Sequence, residues 1–282
     1  MKLKEKLMEI VFLLTAIISI VAVALICVFL FANGIPAMKE IGFADFLTGK
    51  QWKPGNNKYG IFPMILGSIY VTGGALVIGV PIGILTAIFM ARFCPQKIYK
   101  FLKPIVDLLA GIPSIVYGFF GLVVLVPFIR EHFASRGQSI LCASILLGIM
   151  ILPTIIGASE PAIRAVEQSY YEGALALGAT HERSVFSVIV PAAKSGIFAS
   201  IVLGVGRALG ETMAVMMVVG NQPRVTNNIL DGIRTLTTNI VLEMGYATDL
   251  HREALIATGV VLFAFILIIN LCFSLIKRGG KE

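Results

Sequence analysis

The sequence predicts an all-α polytopic membrane protein with about six transmembrane helices. Three observations predict it. Of 282 residues, 57% are hydrophobic and only 14% charged, and the mean hydropathy is +0.90, far more apolar than a chain that must keep a wet surface. Apolar runs of about 20 residues recur along the chain, each matching the roughly 30 Å of hydrocarbon that one helix must cross. The formal charge of +7 sits mostly on lysines and arginines that flank these runs. That pattern orients a membrane protein in a lipid bilayer and argues against nucleic-acid binding.

The first run, Ile10 to Phe31, follows Lys2, Lys4 and Lys6. It exceeds the roughly 7 to 15 residues of a secretory signal core and closes on no small-x-small cleavage site, so it reads as an uncleaved first span. The loop from Ala32 to Pro63 is expected outside, although it carries Lys39, Lys50, Lys53 and Lys58. Its tryptophan, Trp52, stands in a turn-rich segment and reads as an interfacial anchor. The second span, Met64 to Ala91, and the third, Ile105 to Phe128, are joined through Arg92, Lys97, Lys100 and Lys103. These basic residues belong on the cytoplasmic side, as do the three N-terminal lysines and Lys277, Arg278 and Lys281. The fourth span covers Ile140 to Gly157, the fifth Gly196 to Val219 and the sixth Ala254 to Ile276. An even count puts both termini inside.

Within the spans, Gly79 and Gly83, and again Gly206 and Gly210, form small-xxx-small pairs that let helix backbones approach closely. Cys27, Cys142 and Cys272 fall inside apolar runs and Cys94 beside one, with no CxxC pair, so neither a disulfide framework nor a metal site is expected. His132, His181 and His251 fall in predicted loops and read as solvated. No cofactor is expected.

Two segments carry functional information. The loop Ala158 to Ser195 faces the cytoplasm in this topology and opens with Glu160-Pro161, an acidic residue before proline, which is a helix-start signature. The stretch Glu172-Gly173-Ala174-Leu175-Ala176-Leu177-Gly178 is alanine-rich with a glycine stop, and reads as a short helix outside the membrane. It resembles the EAA loop of ABC importer permeases, E-A-A-x3-G-x9-I-x-L-P. Glu172, Ala174, Gly178 and Pro191 match at their spacing, while Gly173, Val188 and Val190 replace alanine, isoleucine and leucine. The resemblance implies a type I ABC importer permease (MetI-like) architecture. It divides the chain into residues 1–63, an N-terminal transmembrane helix and external loop, and residues 64–282, the permease transmembrane domain with its coupling loop at about 158–195. It also implies that Tyr171, Glu172, Ala174 and Gly178 are contacts or turn positions where the loop docks on an ATPase subunit. A plain surface helix with a glycine cap is the reading without the family.

The other segment runs from Gly204 to Val215 and holds Arg207 and Glu211 near the centre of the fifth span. An arginine there costs about 2.5 to 3.5 kcal/mol on insertion scales, so something must offset its charge. Four residues apart on one helix, the two share a face and are expected to pair while pointing into a bundle or cavity. The pair either fixes helix register or lines a substrate route, and arginine's fork of donors suits a tetrahedral oxyanion. Arg207 to Val215, together with Leu109-Ala110-Gly111-Ile112-Pro113-Ser114-Ile115-Val116-Tyr117-Gly118-Phe119-Phe120-Gly121, is similar to the C-type (PstC-like) permease subunit of phosphate importers, a likeness that extends over most of the chain. Arg207 and Glu211 would then line the phosphate route. Molybdate and sulfate permeases share the Arg-x-Leu-Gly-Glu stretch, so the choice of oxyanion stays open.

The chain has no GxxxxGK[ST] phosphate loop, so ATP hydrolysis is expected on a partner and the chain itself is expected to be a permease, not an enzyme. The resemblance implies a second, A-type permease subunit, two ATPase subunits and a periplasmic or lipid-anchored phosphate-binding protein. It also implies a multi-pass place in the bacterial cytoplasmic membrane. The outer loop Gly220 to Glu253 has room for a short surface or re-entrant helix. A rival from another class, an ion-coupled secondary transporter, also puts charges at mid-membrane depth but gives the Glu172 loop no role.

Overall fold

The computed structural model describes residues 2–133 and 136–279, with side chains over 4–133 and 136–272. Helix α1 (Lys2–Ile41) leads into a short α2 (Phe43–Thr48) and a hairpin of β1 (Trp52–Lys53) and β2 (Lys58–Tyr59). Helix α3 (Phe62–Ile88) ends in a π-turn over Phe89–Phe93, and is followed by α4 (Gln96–Gly111) and α5 (Ser114–Phe120). A second π-turn at Gly121–Leu125 continues into α6 (Val126–Phe133), and then comes α7 (Ile140–Arg164). The loop after it folds into α8 (Gln168–Ala176), α9 (His181–Ser184) and α10 (Val190–Ala192). Helices α11 (Lys194–Gly210) and α12 (Met213–Val218) follow, then α13 (Leu236–Glu243) and α14 (Asp249–Gly279). Among the described residues, five helices are long and apolar enough to cross a membrane, and a sixth span is completed if the pair His181–Ala192 and Lys194–Gly210, bent by 68°, counts as one.

Helix α7 is the centre of the bundle. Its Leu146, Leu147, Met150, Ile151 and Ile155 are buried, packed against Val71 and Ala75 of α3 and Ala214, Val215 and Val218 of α12. The α3–α7 seam is close because glycine makes it so. A Cβ at Gly79 would stand 2.7 Å from the Ile151 side chain and 2.8 Å from the Gly148 carbonyl oxygen, and one at Gly83 2.8 Å from Ile155. The Gly79–Gly83 pair therefore does what small-xxx-small spacing allows. Gly206 and Gly210 do not: added side chains there would meet no atom within 4 Å.

Three elements depart from the sequence reading. The third span does not run from Ile105 to Phe128. Helix α4 stops at Gly111, and Pro113, which lacks an amide donor and restricts the residue before it, starts α5 as its N-cap. The spanning helix is Ser114–Phe133, and α4, with Lys97, Lys100 and Lys103, packs its Tyr99, Leu102 and Val106 against Met90 and Ile156. Second, Glu160-Pro161 starts no helix. Helix α7 runs on through Pro153 and Pro161 to Arg164, because Ser159, Glu160 and Ile163 are buried against its neighbours. Third, the fifth span is interrupted after Gly210 and resumes at Met213.

Trp52 is not an interfacial anchor. It is 5% exposed, stacked edge-on against Tyr59, and its Nε1 donates to Glu243 Oε2 at 2.7 Å. Glu243 also receives Arg234, while His251 Nε2 lies 2.9 Å from Oε2. Burial alone would raise the Glu243 carboxyl, but the hydrogen bonds from Trp52, Arg234 and His251 outweigh it and hold the group below its ordinary value. This cluster fastens the hairpin to α13 and to the start of α14. His251 is thus a packed partner, His181 sits half-buried against Phe93 and Tyr171, and only His132 is exposed, on α6 instead of in a loop.

Candidate substrate passage and coupling loop

Arg207 lies in the last turn of α11, half-buried, with Nη1 donating to Thr154 Oγ1 on α7 at 3.4 Å. It does not pair with Glu211. The helix ends first: Glu211 is extended, with φ −69° and ψ 127°, and its Oε1 accepts the backbone N–H groups of Thr212 and Ala214, each at 3.1 Å. Those are amides that the break in the span exposes, and an ionised acceptor satisfies them well. Thr237 on α13 donates to the Glu211 carbonyl at 3.2 Å, tying the break to the outer cap. The turn thus consumes the carboxylate that sequence spacing offered to Arg207. Among the described residues no ion pair to Arg207 is formed, and Gly206 and Gly210 on the same helix face open space.

The α5 side of the break is held by glycines. A Cβ at Gly118 would be 2.9 Å from Ala214 Cα, and one at Gly121 2.8 Å from Val218. The glycines of the third-span motif therefore let α12 lie on α5 and the following π-turn. Tyr117 of the same motif is buried and donates its hydroxyl to the Leu109 carbonyl at 2.9 Å, bridging the Pro113 break.

The second location is α8. Arg92, Arg164, Lys97, Lys100 and Lys103 gather at this end of the bundle, which the positive-inside rule assigns to the cytoplasm. Glu172 is exposed, Ala174 half-buried, and Gly178 takes φ +84° as the left-handed residue that ends the helix. The Gly178 and Ala179 amides donate back to the Leu175 and Ala174 carbonyls. Tyr171 faces inward, its hydroxyl 2.8 Å from His181 Nδ1, so it braces the loop from beneath. A residue that sequence reading passed over stands at the tip: Leu177 is 91% exposed, beside exposed Leu175 and Tyr170. The sequence signal for this apolar tip is an i, i+2 leucine pair before the glycine.

Residues 79–279 match the protein family described as the binding-protein-dependent transport system inner membrane component. The chain belongs to this family. The permease is 42% identical to the probable ABC transporter permease protein YqgH of Bacillus subtilis, over 90% of this chain and 86% of that one. It is 34% identical to the phosphate transport system permease protein PstC of Mesorhizobium japonicum, over 90% and 84%. It is 33% identical to the PstC of Haemophilus influenzae, over 89% and 85%. Among solved structures, a bacterial ABC transporter that imports the polysaccharide alginate aligns with a TM-score of 0.65 at 18% identity, covering 96% of each chain. The MetNI methionine transporter aligns at 0.57 and 22% identity, over 78% of this chain and 94% of that one. These likenesses establish the fold of an ABC importer permease and an integral membrane protein. The α8 loop and the Arg207 break both lie inside the matched residues.

Proposed function

We propose that this permease is the C-type subunit of an ATP-driven importer of inorganic phosphate, and that the anion passes over Arg207. The observation that carries the reading is a half-buried guanidinium with no carboxylate partner among the described residues, on a helix whose Gly206 and Gly210 open to free space. A charge in that setting is stable only if an anion or water offsets it. Its planar fork presents paired donors to two oxygens of a tetrahedral anion. Glu211 keeps the turn open through Oε1, which leaves Oε2 to accept a hydroxyl of a protonated phosphate. The PstC relatives favour phosphate among the oxyanions.

Transport requires a second, A-type permease chain to close the passage, two ATPase subunits beneath, and a phosphate-binding protein outside. In this reading Leu177, Leu175 and Tyr170, with Glu172 beside them, dock in a groove of the ATPase. Closure of the ATPase pair on ATP favours one arrangement of the loop and so shifts the bundle between inward and outward access.

The test is Arg207→Gln in the complex reconstituted into vesicles. Phosphate uptake is expected to drop at least about thirtyfold, the loss of one desolvated charge contact, with the subunits still assembled. Undiminished uptake would remove Arg207 from the route. Sulfate or molybdate competing better than phosphate would reassign the substrate.

A further inference from the structure

At the inner end of the bundle, just before the chain enters α8, two arginines exchange places. Arg92, at the end of α3, donates Nη2 to the Ile163 carbonyl at 2.9 Å and reaches the Val166 carbonyl at 3.5 Å. Arg164, at the end of α7, donates Nη2 to the Met90 carbonyl at 2.7 Å. Each guanidinium thus caps the orphan carbonyls of the other helix. Two like charges so close need a counter-ion, and Glu160 supplies it. It is 2% exposed, pairs with Arg164, accepts the Tyr99 hydroxyl at 3.0 Å, and takes Lys103 at 3.3 Å. The Arg164 guanidinium also covers the Tyr99 ring at 4.4 Å. One carboxylate therefore ties α7 to α4, and through Arg164 to α3.

The clamp sits where force from the α8 loop must enter the membrane helices. Arg92 straddles a carbonyl in the last turn of α7 and one past it, and its Nε is buried without a partner among the described residues. That leaves it a spare donor as the α7 end shifts. The face is joined to the loop as well, through Phe93 against His181 and His181 against Tyr171. We propose that Glu160 is a positioning residue that carries motion of the α8 loop to α4 and α3, so that ATP turnover is converted into opening of the passage. This rests on the importer reading above. A buried ionic cluster that served stability alone would be replaceable by apolar packing, whereas one that transmits displacement must keep directional bonds across three helices.

The experiment counts phosphate imported per ATP hydrolysed in vesicles holding the whole complex. Two variants are compared: Glu160→Gln, and Tyr99→Phe with Lys103→Met, which removes the α4 bonds to Glu160 but leaves the Glu160–Arg164 pair. In both the ratio is expected to fall about fivefold or more, the scale of a coupling free energy between sites, while the subunits remain assembled and ATP is still hydrolysed. Tyr99→Phe with Lys103→Arg, which keeps the charged link, is expected to restore the ratio. If Glu160→Gln does not assemble, the double variant decides. An unchanged ratio in the assembled double variant overturns the proposal, and so does its failure to assemble, which would make the cluster structural only. A wild-type complex that imports no phosphate strikes down the phosphate reading instead, and the ratio is then measured with the oxyanion it does import.

Discussion

Adding a single methyl group at Gly79 tests how the bundle is held. The Cβ of Gly79→Ala would lie 2.7 Å from two side-chain atoms of Ile151 and 2.8 Å from the Gly148 carbonyl oxygen. The Ile151 side chain can rotate away, but the carbonyl belongs to the backbone of α7 and can yield only if the helices part. Parting would loosen the next two contacts along the seam, Gly83 on Ile155 and Gly148 on Ala75. Overpacking of a filled core costs typically about 1–3 kcal/mol, and a backbone clash belongs at the upper end, so about 2–3 kcal/mol is expected here. Measured against Ile151→Ala as the reference chain, the added methyl should cost less, because only the carbonyl clash remains. Gly206→Ala, which would meet nothing within 4 Å inside α11, should be neutral or stabilising by up to about 1 kcal/mol. Reversible unfolding of the solubilised permease, followed by helical signal, gives all three values. A Gly79→Ala protein as stable as wild type, or a Gly206→Ala protein equally damaged, would refute the account of the α3–α7 seam.

Two further perturbations address the loop and the outer cap. Leu177→Asp should leave unfolding unchanged, because the side chain touches almost nothing, yet lower retention of the ATPase subunit on purification at least about tenfold, as loss of an apolar anchor does; full retention would move the docking site elsewhere. Trp52→Phe removes a 2.7 Å hydrogen bond to an ionised acceptor and should cost about 1.5–3 kcal/mol at neutral pH. Glu243 is depressed in the folded state, so its contribution is complete above the unfolded carboxyl value of about 4.3 and disappears as pH falls through the lower folded value. The gap between Trp52→Phe and wild type should therefore close in acid, and a gap independent of pH would mean that the ring alone matters.

Much of the frame was legible from residues alone, because a helix in hydrocarbon needs a long apolar run and little else does. The α8 helix was legible too: alanines favour it, and Gly178 marks its end. What escaped was set by partners distant in the chain. Trp52 looked like an anchor because its acceptor is Glu243, 191 residues on. Pro113 and Pro161 look alike in sequence, yet one breaks a span and the other is absorbed, and burial of Glu160 and Ile163 decides the second case. The Arg207–Glu211 spacing suggested a pair on one helical face. The backbone turned first, and its own exposed amides claimed the carboxylate.

Helix α1 is a ruler. Its 40 residues rise about 60 Å, roughly twice the depth of the lipid tails, and its C-terminal end carries the hairpin platform. Ala37 and Met38 there are seated among Ala254 and Ala257 of α14, and Gly34 lets the two rods touch, with Val260 Cγ2 2.7 Å from where its Cβ would be. The altitude and compass bearing of the platform are therefore both written in residue count. One residue more in that stalk would lift it by about 1.5 Å and swing it by about 100°, turning the seat of Met38 toward water.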